Sequence, residues 1–185
     1  MGPLENLFSG DVVKLDKSHQ GEHFDVNALV WYGLAFYLGC HPSHVMSIVY
    51  GIKNTIFSIK NDMFCTFWNP SGHDATVEIN GVTMAIGERY VYYLHHLDRY
   101  DDAAVIDYAR GFLKNPFFKA DLSFRLYCAV ALYGDDNAKN FRTPPPASYC
   151  QDWNRYGLTM TSADKSEEFK MIEFEELSFL KPYVS

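Results

Sequence analysis

Positive charge is scarce in this 185-residue chain: 16 Lys and Arg stand against 23 Asp and Glu, a formal net charge of −7. Binding to nucleic acid through its phosphates needs clustered Lys and Arg. The balance therefore argues against a general nucleic-acid partner and disfavours anionic membrane surfaces. Cysteine is sparse as well. Cys40, Cys65, Cys128 and Cys150 are widely spaced and form no C-x-x-C pair, which removes the usual zinc and redox spacings. Long apolar runs are missing: the longest, Ala28 to Cys40, is too short to cross a bilayer. The opening Met1-Gly2-Pro3-Leu4-Glu5-Asn6 has no basic stretch ahead of an apolar one, so no secretory signal is expected. The reducing cytoplasm is the default location, with free thiols. Asn6 stands where a myristoylation signal has Ser or Thr.

What is present is a composition for packing. Hydrophobic residues make up 48% and aromatics 16%, with 21% charged, which excludes a disordered chain. The length suits one domain that buries roughly 70% of its unfolded surface. Val12-Val13-Lys14-Leu15, opened by Gly10-Asp11, reads as a first strand. Asn27 reads as the N-cap of an all-apolar helix to Leu38, stopped by Gly39. A helix apolar all round is normally covered, so the Ala28 to Cys40 segment offers a face to a peripheral membrane or a protein partner.

Further along, His44 to Tyr50 and Asn54 to Lys60 read as a strand pair, with residues 61 to 74 a loop. Asn80-Gly81 between Thr76–Ile79 and Val82–Ile86 reads as a hairpin turn. Arg89 to Leu94 is a strand candidate, and Asp101-Asp102 opens a helix over about 103 to 113. Leu126 to Tyr133 reads as a helix stopped by Gly134-Asp135-Asp136. Pro144-Pro145-Pro146 marks a linker, and an acidic, partly amphipathic stretch follows. The expected organisation is a core over 1–136, a proline-rich connection over 137–147 and a C-terminal extension over 148–185 packed on the core. The fold class is α+β, a small antiparallel sheet packed against helices.

A histidine ahead of a cysteine supplies the minimum for nucleophilic acyl chemistry, because a thiolate attacks and an imidazole carries the proton. Several short motifs surround such a pair. Gly10-Asp11-Val12-Val13 comes first, then Ser43-His44-Val45, Asn80-Gly81-Val82, Asn115-Pro116-Phe117 and Tyr127-Cys128. In their order and spacing they resemble the circularly permuted papain-like enzymes, the permuted NlpC-type superfamily. That superfamily includes bacterial amidase-like proteins, a poxvirus protein and the lecithin retinol acyltransferase group. The resemblance covers about residues 10 to 134.

It implies that Cys128 is the nucleophile at a helix start, with His44 as its general base. Glu78 would orient the imidazole, matching the family's Glu-then-Gly-Val order if residues 61 to 74 are an insertion. The implied function is a cysteine-dependent hydrolase or acyltransferase working through an acyl-enzyme, on a peptide, amide or acyl-lipid substrate. No nucleic acid, cofactor or metal enters that chemistry. The alternative is a catalytically inactive member of the fold that serves as a protein-interaction module. Cys150, also preceded by a tyrosine, is a rival nucleophile. Taken singly, Cys128 also fits a small buried hydrophobe and His44 a core histidine. His41-x-x-His44 and His95-His96 lack zinc-binding spacing.

Overall fold

The computed structural model describes residues 6–70, 75–96 and 124–177. Its centre is a four-stranded antiparallel sheet, in the order β4-β5-β1-β6. The strands are β1 (Leu7–Val12), β4 (Cys128–Tyr133), β5 (Asp136–Phe141) and β6 (Met160–Ser162). The first strand of the chain thus lies between two strands from the far end of the sequence. Gly10 pairs with Asn137 on one side and with Ser162 on the other.

Helices α1 (Leu15–Ser18), α2 (Gly21–Tyr37) and α3 (Pro42–Lys53) follow β1. A separate two-stranded sheet, β2 (Ile56–Ile59) with β3 (Asp62–Cys65), leads to the long helix α4 (Thr76–His96). A short helix α5 (Tyr149–Asp152) runs into a 3-10 turn at Trp153–Tyr156. The expected α+β class, with a small antiparallel sheet against helices, is the one observed. Among the described residues no helix is long and apolar enough to cross a membrane.

Two cores hold these layers together. In the larger, Phe8 and Val12 of β1, Cys128 and Phe141 meet Met84 and Val91 of α4, together with Tyr149 and Trp153. In the smaller, Phe24 and Ala28 of α2 pack with Val49 and Ile52 of α3 and Ile79 of α4. Helix α4 therefore bridges both. Its buried positions Ile79, Thr83, Gly87, Val91 and Leu94 recur at helical spacing, which lays one face on the sheet.

Several expected elements are corrected. The segment from His44 to Tyr50 is helical, because Pro42 sits in the first turn of α3 and the His41 side chain accepts from the Ser43 N–H. Its buried residues Val49 and Ile52 are three apart, a helical interval despite the β-branched composition. Asn80-Gly81 lies inside α4 and is no hairpin turn, and residues 89 to 94 continue the same helix. Asn27 is interior to α2, where its Nδ2 donates to the His23 carbonyl and to Thr83 Oγ1, both at 2.9 Å. Cys128 to Tyr133 is a strand. The expected helix near 103 to 113 and the Asn115-Pro116-Phe117 turn lie outside the described residues.

Helix α2 leaves much of its apolar surface uncovered by described residues: Phe36 is 75% exposed and Tyr37 85%. No Asp, Glu, Lys or Arg occurs between Asp25 and Lys53, and those two close the run with an ion pair of 2.6 Å.

Candidate active site

The β4–β5 hairpin turns through two residues, Gly134 and Asp135, with Tyr133 paired to Asp136. Gly134 has φ of 63°, the positive value that the first central residue of a II′ hairpin turn needs and that glycine adopts without cost. The turn places two carboxylates in succession at one end of the sheet. A third comes from the neighbouring strand. Gly10 pairs with Asn137, so the next residues along the two strands are Asp11 and Asp136.

The electrostatics record this crowding. The Asp136 carboxyl is held above its usual range, first by partial burial and then by the charges of Asp135 and Asp11, with Lys165 acting in the opposite sense. Lys165 is the counter-charge. It follows β6 in a left-handed backbone conformation, φ 65°, fixed where its N–H donates to the Ser162 carbonyl at 2.8 Å, and its ammonium contacts Asp11 Oδ2. Beside the turn an open groove of about 350 Å³ runs between α4 and the end of β4, with Trp31, Glu78, Ala85, Leu132 and Tyr133 in its walls.

The donor set is all oxygen. Carboxylates without thiol or imidazole suit a hard cation such as Mg²⁺. Among the described residues no group of three His, Cys, Asp or Glu side chains could hold a metal by itself. Mg²⁺ commonly takes one or two carboxylates and completes its shell with water and substrate phosphates.

Behind the sheet lies a buried polar network. Lys139 of β5, 1% exposed, lies 2.5 Å from Glu88 Oε1 of α4, itself 2% exposed. Lys139 Nζ also donates to the Tyr149 hydroxyl at 2.9 Å, and that hydroxyl donates to Glu88 Oε2 at 2.6 Å. A second network ties the chain after β1 to α4. His19 Nε2 and Asn69 Nδ2 both donate to Asn80 Oδ1, at 2.8 and 2.9 Å, and the Asn69 N–H donates to the Asp16 carbonyl at 2.7 Å. Burial lowers the His19 pKa to about 4, so its ring is neutral and Nε2 carries the proton.

The residues expected to be catalytic sit on three different elements, and none hydrogen-bonds another. Cys128 is buried at the start of β4, lining a cavity of about 410 Å³ with Glu88 and Arg89. Its thiol donates to the Ala129 carbonyl at 3.7 Å. Burial first, and then the Glu88 charge, push that thiol well above its ordinary value, the opposite of an activated nucleophile. His44 is exposed on α3, with its ring 5.8 Å from that of His41. Glu78 is exposed in the first turn of α4. Cys150, the rival, is buried in α5, and burial raises its pKa to about 11.

The carboxylates at the turn carried no role in the sequence reading. Only half of a signal for them existed: Gly-Asp directly after the apolar run Cys128 to Tyr133 is a turn pair, but residues 136 to 141 have little strand-type composition, and Asp11 lies inside the strand Leu7–Val12.

No protein-family profile matches this chain. Over 53 residues, 28% of the chain, it is 38% identical to the genome polyproteins of Human rhinovirus 1A and of Human rhinovirus 1B, covering 2% of each. Among solved structures it is similar to the Sicinivirus 3Dpol RNA-dependent RNA polymerase, with a TM-score of 0.62 and 16% identity. That likeness covers 95% of this chain and 33% of the polymerase chain, so the chain spans a third of the length of its structural neighbour. The likeness overturns the resemblance to permuted papain-like enzymes. The cysteine hydrolase or acyltransferase falls with it, as does the inactive papain-like interaction module. The peptide, amide or acyl-lipid substrate, the exclusion of nucleic acid, and the membrane or protein partner at Ala28 to Cys40 lose their basis too. The α+β fold of this chain is one it shares with an RNA-dependent RNA polymerase.

Proposed function

We propose that this chain carries the carboxylate site of a nucleotidyltransferase that extends RNA on a nucleic-acid template, taking nucleoside triphosphates as substrate. The observation that carries the reading is the convergence of Asp11 with the Gly134-Asp135-Asp136 turn at one end of the sheet. The fold shared with a viral RNA polymerase supports it. Asp11 and Asp135 are the residues assigned to hold divalent cations, with Asp136 beside them. A divalent cation held there would supply stabilisation of the negative charge that develops in phosphoryl transfer.

The chain's own groups do the rest. Beyond partial burial, the Asp135 and Asp11 charges already disfavour the ionised Asp136, with Lys165 acting against them, so a cation bound there would relieve that repulsion. The Lys165 ammonium, two-thirds exposed and in contact with Asp11, is a mobile point charge within reach of a triphosphate near that carboxylate. The groove beside Tyr133 and Gly134 leaves room for the substrate next to the turn. The metal-free chemistry expected from the sequence is replaced by one that depends on a cation. Nucleoside triphosphates are held inside cells, and an intracellular setting goes with the reading.

The test is extension of an RNA primer annealed to an RNA template, with Mg²⁺ or Mn²⁺ and labelled nucleoside triphosphates. Incorporation should depend on the template and on the cation. Asp135→Asn and Asp11→Asn should each reduce it by roughly a hundredfold or more. Incorporation that persists in both variants, or runs without template, would sink the reading.

A further inference from the structure

The residue after the carboxylate pair, Asn137, is buried at 2% exposure. Its Nδ2 donates to the Gly10 carbonyl at 2.9 Å and to the Asp135 carbonyl at 3.3 Å. Gly10 immediately precedes Asp11 in β1, and Asp135 is the tip of the β4–β5 turn. One NH₂ group therefore spans the two backbone segments that carry the carboxylates. Both acceptors are carbonyl oxygens, so the amide nitrogen must face them; turned the other way, Oδ1 would meet two acceptors and bond neither.

The arrangement is poor for stability alone. Asn137 Oδ1 is buried without a hydrogen-bond partner among the described residues, and an orphaned buried acceptor counts against folding. The strand ladder already aligns β1 with β5 through Gly10 and Asn137. Backbone pairing fixes register but leaves the turn tip free to tilt. The bond from Nδ2 to the Asp135 carbonyl removes that freedom, and the bond to Gly10 references the tip to the strand that bears Asp11.

We propose that Asn137 is a positioning residue: its carboxamide sets the spacing of Asp11 from the Asp135–Asp136 pair and thereby the affinity of the site for a divalent cation. The proposal rests on the carboxylates being a cation site, as argued above. An amide here trades some folding stability for a fixed carboxylate geometry. An apolar side chain of similar size keeps the packing and loses the tether.

Mn²⁺ binding to the protein tests this directly, read from the loss of the free ion's paramagnetic resonance signal on titration, beside thermal melting of the same samples. Wild type should take up Mn²⁺ in a manner abolished by Asp135→Asn. Asn137→Leu should raise the Mn²⁺ midpoint at least about threefold while its melting temperature stays level or rises. If Asn137→Leu does not melt cooperatively, Asn137→Thr is read by the same criterion. A midpoint that moves less than threefold overturns the positioning role. Wild-type protein with no Asp135-dependent uptake overturns the cation site itself, and the two failures are told apart by the Asp135→Asn control.

Discussion

Gly87 has no room for a methyl group. A Cβ there would lie 2.4 Å from Trp153 Cζ3 and 2.7 Å from Cη2, and the indole is fully buried with nowhere to move. Alanine in a helix interior is favoured over glycine by about 0.5–1 kcal/mol, but overpacking a filled core costs about 1–3 kcal/mol. The clash wins. Gly87→Ala should lower the melting temperature by several degrees, and an equal or higher value would show that the α4–Trp153 contact is looser than described. The same scale explains the misplaced catalytic residues. Cysteine and histidine suggest chemistry through what their side chains can do, and residue type carries no information about solvent access. Cys128 has the right chemistry in a place where burial keeps its proton on. The aspartates, plain surface residues by composition, acquire meaning only when a turn and a neighbouring strand bring them together.

Among elements, α4 and β5 are joined by the buried pair of Glu88 and Lys139. Removing one partner strands the other charge in the core, typically at about 3–5 kcal/mol, whereas replacing both with apolar residues is often neutral or better. Lys139→Met should therefore shift the urea midpoint strongly downward, and adding Glu88→Leu should restore much of it. Additive losses would mean that the pair is not coupled. Which elements were legible follows from the length of their patterns. The 21-residue α4 has helical periodicity throughout, yet the local Asn80-Gly81 signal was read over it. Gly81 has nothing within 4 Å of where a Cβ would be, so α4 tolerates a glycine there, and the longer pattern decided the outcome. Cys128 to Tyr133 offered less. A six-residue apolar run suits helix and strand alike, and only the Gly-Asp after it favours a hairpin. The expected strand Val12 to Leu15 overlaps β1 only at Val12: Gly10 and Asp11 lie inside β1 (Leu7–Val12), and Leu15 already opens α1.

At the scale of the whole molecule, net charge was the most misleading number. A total of −7 does not by itself exclude phosphate partners, because under the proposed function bound cations would supply the positive charge. Acid stability is a property of the whole molecule. His19, His23 and His95 all have pKa values lowered by burial, His19 to about 4. The unfolded chain then binds more protons than the folded one between about pH 6.5 and 4, so stability falls as the pH drops through that window. For His19 alone the loss between pH 7 and 5 is of the order of 2 kcal/mol. His19→Gln keeps an amide donor for Asn80 and cannot titrate, so its melting temperature should decline less steeply from pH 7 to 5. Parallel curves for the two proteins would remove His19 from the acid response.

The central position of β1 also has a bearing on how the protein is made. Gly10 and Asn137 are paired yet 127 positions apart, so the first strand leaves the ribosome long before either neighbour exists. At ~5–20 residues per second the wait is roughly 6–25 s, during which Leu7, Phe8 and Val12 have no sheet to join. Pairing across so long a loop is slow to nucleate. Asp11 and Asp135 come together only at its end, so cation uptake at the proposed site would report the closing of the sheet and could play no part in starting it.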